Sequence, residues 1–127
     1  MNINETFELV SKSADEGYAN LRKLAEINLN AMDQLFAKQM EIMNLCFANA
    51  TEQAELLKQT RRVDELVGKQ AELAQGLGEK LAESNKQVAE ILSNTREEYQ
   101  GWAEQSVAQA RTKMSEAAEV VKHAQAA

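Results

Sequence analysis

The sequence predicts an all-α protein with two long antiparallel amphipathic helices, arranged as a helical hairpin or coiled coil that oligomerises into a bundle. Its 127 residues include no Pro and five Gly. Hydrophobic residues make up 44% of the chain but aromatic residues only 5%, and Ala, Glu, Gln, Lys and Leu dominate, as in long helices and coiled coils. The stretch Leu21–Leu57 contains neither Pro nor Gly, and its apolar residues recur at helical spacing. We therefore expect a single helical domain over residues 1–127.

Helix one is predicted over about residues 4–58. Asn4 is the expected N-cap, with Glu5 and Glu8 in the first turns, where carboxylates suit the helix dipole. On a helical wheel, the apolar residues between 21 and 57 fill roughly 200°, about twice the width that a single partner helix covers. Helix one thus has two apolar faces, and the function depends on what covers the second one.

Part of this wide arc is a band of Met, Phe and Leu side chains that lie within about 80° of one another on the wheel. Met is flexible and polarizable, so such a band adapts to an irregular hydrophobic partner. It is also what the core of a bundle would contain, against helix two or a second copy of the chain. The residues assigned to this polymer-surface or oligomer face are Leu29, Met32, Phe36, Met40, Met43 and Phe47.

The helical pattern is interrupted at residues 59–63, where a turn is predicted although neither Pro nor Gly marks it. Thr60 or a neighbour is the expected N-cap of helix two, and Asp64 and Glu65 supply acidic residues to its first turn. The basic residues around the turn are interpreted as compensating the dipole at the end of helix one. Helix two is predicted over about residues 64–122.

Helix two has an apolar stripe of roughly 120°, the width expected for a helix with one partner. Gln70, Ser84 and Thr95 interrupt the stripe with polar layers, which can fix the register of a helix pair. Gly76 and Gly78 lie within the helix and indicate either a close approach of backbones or a flexible point. The residues predicted for the helix–helix seam are Leu66, Leu73, Leu77, Leu81, Val88, Ile91 and Trp102.

Side chains that carry out catalysis or bind metals are scarce. His123 is the only histidine and lies near the end of helix two on its charged side, where we expect it to be solvated. Cys46 is the only cysteine; it falls within the apolar arc and is predicted to be a small buried hydrophobic residue. Without a second His, a Cys pair or an Asp cluster we expect no catalytic residues, no metal site and no cofactor. The protein is predicted not to be an enzyme.

The charge balance is acidic, with a net charge of −6 and a pI near 4.9. No basic tail is present, so nucleic acid is not an expected partner. The longest uncharged run, Ile42 to Thr51, is about half as long as a membrane span, and no transmembrane segment is predicted. The lone cysteine and a start without a signal-peptide pattern favour a soluble, cytoplasmic protein.

Several blocks of sequence occur in an informative order. Leu24–Leu29 (LAEINL) precedes Ala48–Leu57 (ANATEQAELL), and after the break comes Val63–Ala74 (VDELVGKQAELA). This order resembles the phasin family, small amphipathic proteins that coat polyhydroxyalkanoate storage granules in bacteria, over roughly residues 20–105. Two features depart from the family: Arg62-Val63 stand where phasins often have a Pro-containing turn, and the basic tail of DNA-associated relatives is absent.

The resemblance implies a non-enzymatic protein that adsorbs through an apolar helix face to polyester granules in the cytoplasm and stabilises their surface. In solution we expect this face to be hidden by another copy, in a dimer or tetramer. Whether a granule synthase or other granule proteins bind the coat stays open. The alternative is a coiled-coil scaffold or helical chaperone that binds another protein. A lipid-surface protein of apolipoprotein type is disfavoured, because Trp is scarce and no Lys/Arg-lined polar face is present.

Overall fold

Two helices account for nearly all of the computed structural model, which describes residues 2–59 and 61–126. They are α1 (Ile3–Gln59) and α2 (Val63–Ala126), and they pack against each other. The prediction of an all-α protein with two helices is confirmed. Residues 61 and 62, between the helices, are not helical. The break is therefore narrower than residues 59–63, and α2 continues past the expected end near residue 122.

The N-cap of α1 is Asn2, so the prediction of Asn4 is wrong. The Asn2 side-chain oxygen accepts a hydrogen bond from the Glu5 backbone N–H at 2.8 Å, and the Asn2 carbonyl accepts one from the Thr6 N–H at 3.3 Å. Asn2 followed three residues later by Glu5 is a capping-box order. Because the helix begins at Ile3, Asn4 already lies within its first turn.

The predicted cap at Thr60 lies outside the described residues. At the start of α2 the Arg62 carbonyl accepts the Leu66 N–H at 3.0 Å. The Arg62 guanidinium forms ion pairs with Asp64 at 3.3 Å and Glu65 at 3.9 Å. All three side chains are largely exposed, so these pairs orient the first turn and add little stability.

The chain divides into two units, each made of one segment of α1 and one segment of α2. In the first unit, residues 2–30 pack against residues 94–126. The Trp102 indole N–H donates to the Asn20 carbonyl at 2.8 Å, and the Asn20 amide donates to the Gln109 side-chain oxygen at 2.6 Å. Glu16 and Lys113 form an ion pair at 2.8 Å. Glu16 thus pairs with a residue of α2 that lies further along the chain than the partners of Asn20. Lower residue numbers on α1 pair with higher residue numbers on α2, so the two segments are antiparallel.

In the second unit, Ala31–Ser93, the two segments are also antiparallel. The Lys38 ammonium donates to the Gln87 side-chain oxygen and forms an ion pair with Glu41 at 2.8 Å. Nearer the break, one groove is lined by residues 51–59 of α1 and residues 69–73 of α2. Ser84 of α2 is buried.

We call the covered positions of α1 its seam, because they recur every three or four residues and average about 3.6. This period follows the straight α-helix rather than the 3.5-residue repeat of a left-handed coiled coil. Six of the fourteen positions are polar or charged. The seam is formed by Leu9, Ser13, Glu16, Asn20, Leu24 and Ile27 in the first unit, and by Ala31, Leu35, Lys38, Ile42, Leu45, Asn49, Gln53 and Leu56 in the second.

The described part of the chain has almost no hydrophobic core of its own. Among the described residues only Ile27 and Ser84 are buried, and none of the large side chains is fully buried. The accessible surface is 9935 Å², whereas a compact monomer of this mass would expose about 6,700 Å². Pairing of α1 with α2 therefore leaves a large surface for contact with something else.

Replacing Gly76 and Gly78 by Ala should stabilise the protein. Helix α2 continues through both glycines, and a Cβ placed at either one would meet nothing within 4 Å. A close backbone approach is thus not found there, and each substitution should add about 1 kcal/mol of helix propensity. We expect the melting temperature, followed by circular dichroism, to rise by about 4 °C per substitution. The reverse changes Ala74→Gly and Ala82→Gly serve as controls and should lower it. A lower melting temperature for the Ala variants would contradict this.

The ion pair between Glu16 and Lys113 should make stability depend on pH. A hydrogen bond from Lys113, together with the positive charges of Lys113 and Lys12, lowers the pKa of Glu16 below its usual 4.5, against an opposing effect of desolvation. A lowered folded-state pKa gives stability that is present above the unfolded value and is lost as pH falls through the folded value.

We therefore expect Glu16→Gln to lower the melting temperature at pH 7, and the difference from the parent protein to be smaller at pH 3 than at pH 7. The exposed Glu97→Gln changes the net charge equally and is the matched control. A deficit for Glu16→Gln that is the same at both pH values would show that the carboxylate charge is not responsible.

Candidate functional site

The candidate functional site is a line of exposed apolar side chains along α1, which we call the apolar stripe. Like the seam, it advances by about 3.6 residues per step, so it follows one side of the helix within each unit. Every one of its sixteen positions is exposed, and none carries a charge. The stripe consists of Ile3, Phe7, Val10, Ala14, Tyr18, Leu21, Ala25 and Leu29 in the first unit, and Met32, Phe36, Met40, Met43, Phe47, Ala50, Ala54 and Leu57 in the second.

All six residues that the sequence assigned to a polymer-surface or oligomer face belong to the apolar stripe. Their exposed fractions lie between 42% for Met40 and 76% for Phe47. Five of them, from Met32 to Phe47, lie on consecutive turns in the second unit, and Leu29 is the last stripe residue of the first. Contiguous exposed apolar surface of this extent marks an interaction site on a small protein.

The exposed side of α1 is more apolar than the side that α2 covers. The seam includes Glu16, Asn20, Lys38, Asn49 and Gln53, whereas the apolar stripe has no charged or amide side chain. On the wheel the two lines are separated by about 120°. Packing of two helices alone would favour the opposite arrangement, with the most apolar side inside. Helix α2 therefore leaves the apolar stripe uncovered.

The seven residues predicted for the helix–helix seam are all half-buried on α2. They are Leu66, Leu73, Leu77, Leu81, Val88, Ile91 and Trp102. The polar layers at Gln70, Ser84 and Thr95 are covered as well. Beyond Trp102 the same spacing continues through Ser106, Gln109 and Lys113, which sequence reasoning missed because they are polar. Their 3.6-residue spacing from Trp102 could have identified them as seam residues in the sequence.

Cys46 is exposed, so the prediction of a buried cysteine is wrong. It precedes Phe47 and lies at the edge of the apolar stripe, whereas α2 covers the neighbouring Leu45. The apolar arc of α1 spans roughly 200°, and α2 covers only the part of it that contains the seam. His123 is exposed, as expected. Among residues 2–59 and 61–126, no three His, Cys, Asp or Glu side chains are grouped so as to hold a metal ion.

The side of α1 away from the apolar stripe is acidic. Its exposed charges are Glu5, Glu8, Asp15, Glu26, Asp33, Glu41, Glu52 and Glu55 against Lys12, Arg22, Lys23 and Lys58. Within the described chain, neither α1 nor α2 has a stretch apolar enough to cross a membrane. The arrangement is that of an interfacial helix, with an apolar side for contact and a charged side for water.

The sequence matches that of a known protein family. Residues 8–107 match the family model described as "Phasin protein", a range that includes all six residues of the predicted surface face. A protein of Allochromatium vinosum described as "Uncharacterized protein" is 22% identical over 107 residues, which cover 84% of this chain and 89% of that protein. No solved structure matches the chain.

The exposed position of Cys46 predicts a reactive thiol in the native protein. We expect a thiol reagent such as 5,5′-dithiobis(2-nitrobenzoate) to modify it completely without denaturant, although more slowly than in denaturant where another copy of the chain covers the apolar stripe. Cys46→Ser gives the background absorbance. Modification that occurs only after unfolding would mean that this edge of the apolar stripe is covered in solution.

Proposed function

We propose, because the chain belongs to the phasin family, that it coats polyhydroxyalkanoate storage granules and stabilises their surface. The phasin family is a family of structural, non-enzymatic granule proteins. On this proposal the protein is located in the cytoplasm at the granule surface, and it adsorbs through the apolar stripe of α1.

The observation that carries the proposal is that the most apolar side of α1 is outside. Met32, Phe36, Met43 and Phe47 are each more than half exposed, while polar residues such as Lys38 occupy the seam. A polyester surface has no ordered pocket, so recognition needs a broad apolar contact rather than a precise shape. Flexible Met side chains suit such an irregular surface.

The exposure of the central stripe residues gives the gross adsorption energy to expect. Full burial of a Met or Phe side chain contributes roughly 1.5–3 kcal/mol, and the five central stripe residues are still 42–76% exposed. These five side chains would therefore contribute about 5–10 kcal/mol before the cost of immobilising the protein. The remainder of the apolar stripe would add to this.

The charged side of the coat would face water. With a net charge of −6 and an acidic outer side on α1, coated granules would repel one another, which opposes coalescence. Without polymer, we propose that the apolar stripe contacts another copy of the chain in a dimer or tetramer. The large exposed surface of the single chain supports this.

Charged substitutions in the apolar stripe should weaken adsorption. We expect Phe36→Glu/Phe47→Glu to weaken binding to polyhydroxybutyrate particles at least about tenfold in a sedimentation assay, because two buried contacts are lost and two charges must be desolvated. Ala37→Glu/Asn44→Glu is the matched control, since it adds the same charge to exposed positions on the charged side of the same turns.

The control should bind like the parent protein. Circular dichroism should establish that both variants are helical, and light scattering should give the oligomeric state of each. Equal binding by both variants, with the fold intact, would show that the apolar stripe is not the adsorbing face. A protein that binds no polymer but captures one protein partner stoichiometrically would favour the scaffold or chaperone alternative. Flotation with liposomes but not with polymer would favour a lipid-surface protein.

A further inference from the structure

Helix α2 also has an exposed apolar side, which the proposed function leaves unused. We call it the α2 flank. Its large side chains are Val63, Val67 and Leu92 in the second unit and Val107, Met114 and Val121 in the first, with exposed fractions from 52% to 76%. Mostly Ala residues occupy the intervening turns. The flank is separated from the α2 seam by about 90° on the wheel.

The polar sides of the two helices share the same grooves. In the first unit a groove of about 590 Å³ is lined by Lys23 and Glu26 of α1 together with Glu98 and Gln105 of α2. A second groove, of about 480 Å³ in the second unit, is lined by Glu52 and Glu55 of α1 and by Lys69 and Glu72 of α2. In each unit, therefore, the charged sides of α1 and α2 lie next to each other.

The exposed apolar sides must then meet on the other side of each helix pair. About the α1 axis, the apolar stripe is rotated by about 120° from the α1 seam, in the direction in which successive residues turn from the N-terminus to the C-terminus. About the α2 axis, the α2 flank is rotated by about 90° from the α2 seam in the corresponding direction. When the seams of two antiparallel right-handed helices face each other, a rotation away from each seam in this direction leads to the same side of the helix pair. The helical wheel and the shared polar grooves thus both indicate that the apolar stripe and the α2 flank lie on the same side of each helix pair.

We propose that the α2 flank is part of the adsorbing surface, so that each helix pair lies on the polymer with α1 and α2 still packed together. This inference rests on the proposed function and adds the orientation of the bound protein. The folded pair already presents its apolar stripe and its α2 flank on one side. Adsorption therefore requires no separation of the helices, and the polar grooves remain in water.

The charge distribution identifies the occupant as an uncharged surface. The apolar stripe has no charge, and Arg96 is the one charged residue that occurs at the spacing of the α2 flank. An uncharged polyester can cover such a side without desolvating ion pairs. An anionic lipid layer would require rows of Lys and Arg beside the apolar side, and the net charge is −6.

The first test compares two triple variants of α2. Leu92→Glu/Val107→Glu/Met114→Glu places three charges on the α2 flank, while Asn94→Glu/Gln105→Glu/Ser115→Glu places three on the polar side at exposed positions. We expect the flank variant to bind polyhydroxybutyrate particles at least about tenfold more weakly and the polar-side variant to bind within about twofold of the parent. Binding of the flank variant at the parent's affinity would overturn the proposal.

The second test measures whether the helices stay together. Spin labels at Lys23→Cys and Gln105→Cys, in a Cys46→Ser background, lie on opposite helices of one groove. With the labelled protein diluted in unlabelled protein to remove distances between copies, we expect double electron–electron resonance to give the same distance distribution for the free and the adsorbed protein. A shift to clearly longer distances on the polymer would mean that the pair opens, and would overturn the proposal even if the flank variant failed to fold.

Failure of this inference can be distinguished from failure of the proposed function. If the parent protein does not bind polymer, the proposed function is wrong. If the parent binds and the Phe36→Glu/Phe47→Glu variant does not, but the flank variant binds normally, only the orientation is wrong. If the flank variant changes the oligomeric state by light scattering and leaves polymer binding unchanged, the α2 flank is a contact between copies, and the proposal is overturned.

Discussion

The register between α1 and α2 depends on polar contacts rather than on a core of large apolar side chains. In the first unit Asn20 is central, since its amide donates to Gln109 and its carbonyl accepts from Trp102. In the second unit Lys38 contacts Gln87. Such contacts are satisfied at only one alignment of two helices. That alignment determines which side chains stay outside, so the position of the apolar stripe follows from the composition of the seam.

Much of the fold could be predicted, because a 3.6-residue apolar period without Pro leaves few alternatives to two long helices. The side on which α2 packs could not, since hydrophobicity alone ranks the apolar stripe above the seam. Glu16 and Lys113 illustrate the reason: each looks like a solvated charge in its own helix, and only the alignment of distant segments makes them partners. Cys46 was misplaced for the same reason. The sequence assigned six of the sixteen stripe residues to a surface face, but their partner is not a property of the chain alone.

On the proposed function, such an arrangement is useful to a member of the phasin family. A protein that must spread over a polymer cannot bury its most apolar side chains in a core of its own. A seam with several polar positions keeps the helices aligned without using those side chains. The apolar stripe and the α2 flank then remain available on one side of each helix pair, while the charged grooves on the other side face water.

Separating the seam from the apolar stripe has a consequence for how sequences of this kind can diverge. In an ordinary globular domain one set of apolar residues sets folding stability, and changing it for another purpose risks unfolding. On the proposed function, substitutions in the seam would act on the free energy of folding, and substitutions in the apolar stripe would act on interfacial affinity. To a first approximation such effects add independently. Related chains can thus drift far in sequence and adapt to surfaces of different polarity without a matching change in the packing that aligns their helices.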